Sequence, residues 1–123
     1  MRFISTRTHG ILDYIIGTLL ILAPWLLGFA RGGAETWVPV ILGAGTIIYS
    51  LFTRYELGLV KVIPMGTHLT LDFISGVILA LSPWLFGFAD YVFAPHLIVG
   101  LLEIGASLMT RTRPLETAHG VAH

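Results

Sequence analysis

Four long apolar stretches separated by short polar segments run along this chain. They lie at about 9–29, 37–54, 68–88 and 94–111, and charges, glycines or prolines bound each of them. A transmembrane helix needs about 20 apolar residues. The pattern therefore predicts four transmembrane helices. The second and fourth are near the lower limit of length and are expected to lie upright or to draw on flanking residues.

The first half of the chain recurs in the second half. Residues 8–30 align with residues 67–89 at a constant offset of 59, and 14 of these 23 positions are identical. Beyond the next loop the offset becomes 57, so that Gly43 aligns with Gly100 and Ser50 with Ser107. Because each copy contains two helices, both copies enter the membrane in the same direction. They form a parallel repeat about an axis along the membrane normal.

The repeat and the helix pattern together predict an all-α membrane protein. Its four transmembrane helices form two parallel-repeated two-helix hairpins that pack as a small bundle. The predicted segments are an N-terminal tail at 1–7, a first repeat at 8–55, a linker at 56–66, a second repeat at 67–112 and a polar tail at 113–123.

Each repeat carries a Pro-Trp motif late in its first helix. The motifs are Ala23-Pro24-Trp25 and Ser82-Pro83-Trp84, each within a Thr-His-x-x-Leu-Asp … Pro-Trp-Leu-x-Gly-Phe frame. Over about residues 8–112 the chain resembles the SPW repeat family of small prokaryotic membrane proteins, although the first copy has Ala23 in place of serine. The resemblance implies a membrane location and paired helices, and it implies no particular activity.

The motif also has a mechanical meaning. Proline has no N–H group, so Pro24 and Pro83 are expected to kink or end their helices. In lipid, the Leu79 carbonyl that Pro83 leaves without its usual donor needs another one, which the hydroxyl of Ser82 can supply. Both motif tryptophans are expected near the outer membrane interface, as anchors or, alternatively, as a ligand or partner site.

Composition and charge place the chain in a membrane and orient it there. Hydrophobic residues make up 55% of the positions and charged residues 11%, against about 25% charged residues in soluble domains. The net charge of zero and the absence of cysteine disfavour nucleic-acid binding and exclude thiolate sites. Six of the seven Lys and Arg residues fall in the tails and the linker, and only Arg31 falls on the other side. Both termini are therefore predicted to be cytoplasmic, and the family resemblance implies a bacterial inner membrane.

Small and polar residues form one stripe on each helix. Spacings of three and four residues place a predicted packing seam on the second helix of each repeat, since small residues let membrane helices approach closely. The seam consists of Gly43, Thr46, Ser50, Gly100 and Ser107.

Two His–Asp pairs lie at equivalent positions of the first helices. His9 and Asp13, like His68 and Asp72, are four residues apart and share a helix face. They are interpreted as helix-start pairs, capped by the preceding threonine, that fix the hairpins together. The alternative is one proton, ion or metal site formed by both pairs near the repeat axis. Haem ligation by the two histidines is a remote third alternative.

Glu103 breaks the repeat in the middle of the fourth helix, where its counterpart is Thr46. Burial disfavours its charged form, so we expect a neutral acid that packs in the bundle or relays protons. The hydroxyl groups that it could bond belong to Ser107, Thr46, Tyr49 and Ser75.

No nucleophile-base-acid set, phosphate loop or metal-ligand cluster of good spacing is evident. We therefore expect no enzyme activity, no cofactor and no metal site. The expected function is that of a structural, accessory or partner-binding membrane module. Its expected partners are the lipid bilayer and a second copy of the chain or another membrane protein, with no nucleic acid. The alternative is a small oligomeric proton- or ion-coupled transporter or channel that uses Glu103, Asp13 and Asp72.

Overall fold

The computed structural model describes residues 2–112, which form four α-helices and no β-strand. The helices are α1 (Thr6–Leu26), α2 (Ala34–Leu51), α3 (Met65–Leu85) and α4 (Ala94–Met109). The predicted all-α class with four helices is confirmed. The first three helices begin and end three residues earlier than the apolar pattern indicates, because residues 6–8, 34–36 and 65–67 ahead of the apolar stretches already belong to the first turns. The predicted polar tail at 113–123 lies outside the described residues.

The surface of the bundle is apolar and its interior is polar. Large side chains such as Leu22, Ile41 and Leu102 are about half exposed, whereas Ser50 and Ser82 are fully buried. Three of the helices, α1, α2 and α3, are long and apolar enough to cross a membrane. With 16 residues, α4 spans about 24 Å, short of a hydrocarbon core of about 30 Å.

The helices pack in pairs along the chain. α1 lies against α2 and α3 lies against α4, and the two hairpins meet mainly where α2 contacts α3. α1 and α4 contact each other far less, and a cavity of about 300 Å³ lies between their apolar side chains. The helices α1 and α3 both begin at one end of the bundle, which we call the linker end.

Glycines set the distance between the helices of each hairpin. A Cβ atom added at Gly43 would lie 2.6 Å from the Gly17 carbonyl oxygen, and one added at Gly100 would lie 2.7 Å from that of Gly76. Main chains can approach this closely only where no side chain intervenes. The residues of the predicted seam are all buried in α2 and α4.

The Pro-Trp-x-x-Gly-Phe segment ends the first helix of each repeat. The N–H of Phe29 donates to the Pro24 carbonyl at 2.9 Å, and Gly28 between them has a φ of 75°. This is a Schellman motif, which needs a left-handed residue after the helix. Phe88 and Pro83 repeat the bond at 2.8 Å, with Gly87 at φ 74°.

Ser82 satisfies the carbonyl that proline leaves without a donor. Its hydroxyl donates to the Leu79 carbonyl at 2.7 Å, as the sequence predicts. Ala23 has no hydroxyl with which to do the same for Leu20. The neighbouring Trp25 and Trp84 are 57% and 54% exposed, so both rings lie on the outside of the bundle.

Equivalent backbone contacts join the repeats twice at the linker end. Ile4, ahead of α1, pairs with Thr110 at the end of α4, and Ile63, ahead of α3, pairs with Thr53 at the end of α2. In both places the start of one repeat meets the end of the other. The two hairpins therefore pack within one chain as a pseudo-twofold pair.

We expect Gly43→Ala to destabilise the protein, because the added methyl group would push α1 and α2 apart. The expected loss is about 1–3 kcal/mol, measured as a lower melting temperature in detergent. Gly45 on the same helix has open space around its position. Gly45→Ala should therefore leave the melting temperature unchanged or slightly raised, since alanine favours a helix. Equal melting temperatures for both variants would contradict the close packing.

Candidate functional site: the His–Asp cluster

The first two turns of α1 and α3 bring both His–Asp pairs together in the interior of the bundle, near the linker end. One ligand-type atom from each of His9, Asp13, His68 and Asp72 lies within 4.8 Å of the other three. None of the four residues is more than 6% exposed. They lie about 5–10 Å inside the starts of their helices. We call these four residues the His–Asp cluster.

Each histidine in the cluster contacts both carboxylates. His9 Nε2 lies 2.6 Å from Asp72 Oδ2 and 3.2 Å from Asp13 Oδ1. His68 Nε2 lies 3.0 Å from Asp13 Oδ2 and 3.1 Å from Asp72 Oδ2. The contacts between the repeats are thus at least as short as those within each pair, so the cluster ties the two hairpins together.

Two threonines fix the hydrogen positions on the imidazole rings. Thr53 Oγ1 donates its only hydrogen to the Tyr49 carbonyl at 2.7 Å, so it must accept one from His68 Nδ1, which lies 2.7 Å away. Thr110 Oγ1 likewise donates to the Ala106 carbonyl and accepts from His9 Nδ1 at 2.6 Å. Both rings therefore carry hydrogen on Nδ1 and direct Nε2 towards the carboxylates.

Two tyrosines from the first half of the chain hold the carboxylates. Tyr49 on α2 donates its hydroxyl hydrogen to Asp72 Oδ1. Tyr55, which follows α2 and is fully buried, donates to Asp13 Oδ2 at 2.8 Å. Burial raises the pKa of Tyr55, so its hydroxyl stays protonated and able to donate. Neither tyrosine has a counterpart at the offset of 57, where alanine and threonine stand.

The segment between α2 and α3 closes the cluster at the linker end. Leu57 packs against the buried Tyr55 and fills the space above Gly10, where an added Cβ would lie 2.9 Å from its side chain. Its carbonyl accepts a hydrogen bond from the Tyr14 hydroxyl at 2.8 Å. The linker is therefore part of the bundle.

Glu103 lies beside the cluster without joining it. The side chain is 7% exposed, and its Oε1 has no hydrogen-bond partner among the described residues. The hydroxyls of Thr46 and Ser107 donate instead to carbonyls of their own helices. Glu103 lines a cavity of about 20 Å³ together with cluster residues, which is room for about one water molecule.

A second buried polar group, formed by Glu35 and His96, lies at the opposite end of the bundle. Glu35 Oε2 accepts hydrogen bonds from the backbone N–H groups of Arg31 and Gly33 at 3.0 and 2.9 Å and so closes the start of α2. His96 Nε2 donates to the Glu35 carbonyl at 2.9 Å. The only sequence signal was an acid in the first turn after two glycines, which is typical of a helix start.

The predicted helix caps are wrong. The side chain of Ser5, three residues before Thr8, accepts a hydrogen bond from the backbone N–H of Thr8 at 3.1 Å and so caps α1. The residue that precedes α3 is Pro64, whose side chain forms no cap bond. Both helices start earlier than the apolar pattern suggests, so Thr8 and Thr67 lie inside the first turn.

The geometry also argues against the haem alternative. The rings of His9 and His68 meet edge to face at 78°, with centroids 5.5 Å apart. A porphyrin ligated by both histidines has to lie between their rings, and this arrangement leaves no space for it.

Apolar helices around a polar centre, built by duplication of one hairpin, define a small integral membrane protein. The chain belongs to the SPW repeat domain family, whose family model matches residues 7–110. The resemblance of the Pro-Trp motifs is thereby confirmed. No curated protein and no solved structure matches the chain.

We expect Thr53→Val to destabilise the protein by about 1 kcal/mol, because valine has a similar shape and leaves the buried Nδ1–H of His68 unpaired. Unfolding in detergent measures the change. Thr70→Val is the matched control, since Thr70 is exposed on α3 and its hydroxyl bonds only the Gly66 carbonyl. If both variants unfold alike, the threonine–histidine bond does not stabilise the bundle.

Proposed function

We propose that this protein is a structural or accessory module of a prokaryotic inner membrane, which acts by contact with lipid and with a second copy or another membrane protein. The observation that carries this proposal is the closure of the polar centre. The cluster is buried, tied to both repeats and covered by the linker.

The volumes separate this function from chemistry on an organic substrate. Sites for small molecules usually measure about 300–1,000 Å³ and hold a few convergent polar groups. The cavity beside the cluster measures about 20 Å³, enough for a water molecule or an ion. The cavity of about 300 Å³ between α1 and α4 is lined almost entirely by apolar side chains. Neither of these two cavities combines the volume and the convergent polar groups of a small-molecule site.

The outer surface supports a role in contacts within the membrane. Large apolar side chains are exposed on all four helices, for example Leu19, Ile48, Ile78 and Leu101. Such a surface is stable in lipid or against another apolar helix. Association of helices at this surface depends on van der Waals packing and on hydrogen bonds, because the hydrophobic effect does not drive helices together within lipid.

The positive charges support an orientation with the linker end in the cytoplasm. Arg54 and Lys61 lie between α2 and α3, and Arg2 and Arg7 lie near the start of α1, whereas Arg31 follows the opposite end of α1. Short loops rich in Lys and Arg stay on the cytoplasmic side.

For this topology, alkaline phosphatase fused after Thr112 should be inactive and a green fluorescent protein fused there should fluoresce. The matched control is the same phosphatase inserted at Gly32, between α1 and α2, where it should be active. Active phosphatase after Thr112 would contradict the proposed orientation.

The second candidate function is proton- or ion-coupled transport. It is favoured by one observation, the unpartnered Oε1 of Glu103 beside the small cavity that it shares with the cluster. Buried acids in membrane helices commonly mark ion pathways.

Purified protein in liposomes tests the two functions against each other. A structural module should give proton and cation flux equal to that of empty vesicles, for the native protein and for Glu103→Gln alike. Flux in the native protein that Glu103→Gln abolishes would contradict the structural function and support transport. Trp37→Phe, a change on the lipid-facing surface, serves as the control for reconstitution.

A further inference from the structure

The His–Asp cluster combines two imidazoles and two carboxylates in one buried place, and the accessory function proposed above does not use their chemistry. We propose that the cluster binds one divalent transition metal ion, such as Zn²⁺, between the two repeats. This inference goes beyond the proposed function, since a membrane module can act whether or not an ion binds at its centre.

The spacing of the four donor atoms suits one ion. Zinc bonds to imidazole nitrogen and carboxylate oxygen measure about 2.0–2.2 Å, so tetrahedral ligand atoms lie about 3.3–3.6 Å apart. Three of the four His–Asp contacts, which involve both oxygens of Asp13, measure 3.0–3.2 Å, and one donor atom from each residue lies within 4.8 Å of the other three. Only the contact between His9 Nε2 and Asp72 Oδ2, at 2.6 Å, has to lengthen much. A small outward movement of the side chains therefore accommodates the ion.

The groups around the cluster orient its side chains as metal ligands. A histidine that carries hydrogen on Nδ1 and is neutral has its lone pair on Nε2, the form that binds a metal. Thr53 and Thr110 keep a hydrogen on Nδ1 of both rings, so that loss of the Nε2 hydrogen on metal binding leaves the lone pair facing the carboxylates. Tyr49 and Tyr55 each bond one carboxylate. Hydrogen bonds of this kind fix the orientation of ligands in metal sites.

A buried nitrogen atom without a hydrogen-bond partner faces the carboxylates of the His–Asp cluster. His68 Nε2 is buried and has no hydrogen-bond partner among the described residues, although it lies 3.0 and 3.1 Å from two carboxylate oxygens. Neither contact has the geometry of a hydrogen bond. A buried polar atom without a partner is costly, and an ion between the carboxylates would supply one.

Charge balance also favours a cation. No Lys or Arg occurs from Thr8 to Leu26 or anywhere in α2, α3 and α4. Two buried carboxylates need positive charge or hydrogen donors from nearby. A divalent ion bound by two neutral histidines and two carboxylates forms a neutral site.

The donor set selects the class of metal. Imidazole nitrogen suits zinc and neighbouring transition metals, whereas magnesium and calcium prefer sites made only of oxygen. Two nitrogens and two oxygens without sulfur therefore favour Zn²⁺, Co²⁺ or Mn²⁺ over Mg²⁺ and Ca²⁺. The adjoining cavity has room for about one water molecule as a further ligand.

The test is a titration of tag-free protein in detergent, treated with a chelator and then given Zn²⁺, with Mg²⁺ and Ca²⁺ in parallel. All proteins carry His119→Ala and His123→Ala, so that the tail offers no competing imidazole. Calorimetry should show one Zn²⁺ per chain, with a rise in melting temperature that saturates at that ratio. Mg²⁺ and Ca²⁺ should give neither effect.

Three variants locate the ion. Asp72→Asn should abolish tight binding, because it removes a charged ligand and keeps an oxygen that can accept from Tyr49. Thr53→Val should weaken binding about 10- to 100-fold, as the loss of a hydrogen bond to a metal ligand usually does. Thr70→Val, on the exposed face of α3, should bind as the parent does. Circular dichroism identifies variants that have lost their helices.

Three results would overturn the proposal. The first is no Zn²⁺ bound by the helical parent protein. The second is Asp72→Asn, with its helices intact, binding Zn²⁺ as tightly as the parent. The third is Mg²⁺ or Ca²⁺ binding as tightly as Zn²⁺. Because the parent protein is measured first, the conclusion does not depend on whether any variant folds. None of these results bears on the flux experiment.

Discussion

Charge inside a membrane has to be balanced locally, and this constraint organises the centre of the protein. Asp13 and Asp72 are buried in the bundle, where a carboxylate without a partner is costly, and the helices around them offer no Lys or Arg. Each carboxylate therefore depends on imidazoles and on a tyrosine hydroxyl. The groups that meet this need come from both hairpins and from the linker. The carboxylates are therefore neutralised only when the two hairpins have packed together.

The remaining architecture follows from the need to bring those groups together. Glycine pairs allow the two helices of each hairpin to approach closely, which turns the polar stripes of α2 and α4 inward. At the opposite end, the Schellman motif ends α1 and α3 and turns Phe29 and Phe88 inward. There both rings pack on His96. The family motif therefore stabilises the end of each hairpin farthest from the cluster, while the aspartates and histidines join the hairpins at the other.

Much of the fold was predictable because its signals are local or periodic. The four apolar stretches, the repeat and the polar stripes are visible along the chain, and the hydroxyl of Ser82 follows from the neighbouring Pro83. The caps were not predictable in this way, because Ser5 and Pro64 lie outside the apolar pattern that located the helices.

The site was only partly predictable, because it depends on contacts between distant residues. The helical spacing pairs His9 with Asp13 and His68 with Asp72, but whether the two pairs meet depends on how the hairpins pack. Nothing near Tyr55 marks it as a partner of Asp13, which lies 42 positions away. For Glu103 the sequence identified the broken symmetry, yet the hydroxyls of Thr46 and Ser107 bond carbonyls of their own helices, and that of Tyr49 bonds Asp72.

The asymmetry at Glu103 has a consequence for the covalent link between the repeats. In a dimer of identical hairpins, every side chain near the axis would occur twice. A glutamate at this position would face a second glutamate across the axis. A tyrosine equivalent to Tyr49 would likewise occur twice and would occupy the position where this chain has the small residue Ala106. Joining the hairpins in one chain permits a single acid opposite Thr46 and a single Tyr49 opposite Ala106. Because the linker joins two different hairpins, the side chains on the two sides of the pseudo-twofold axis can differ. A dimer of identical hairpins could not form such an asymmetric interior.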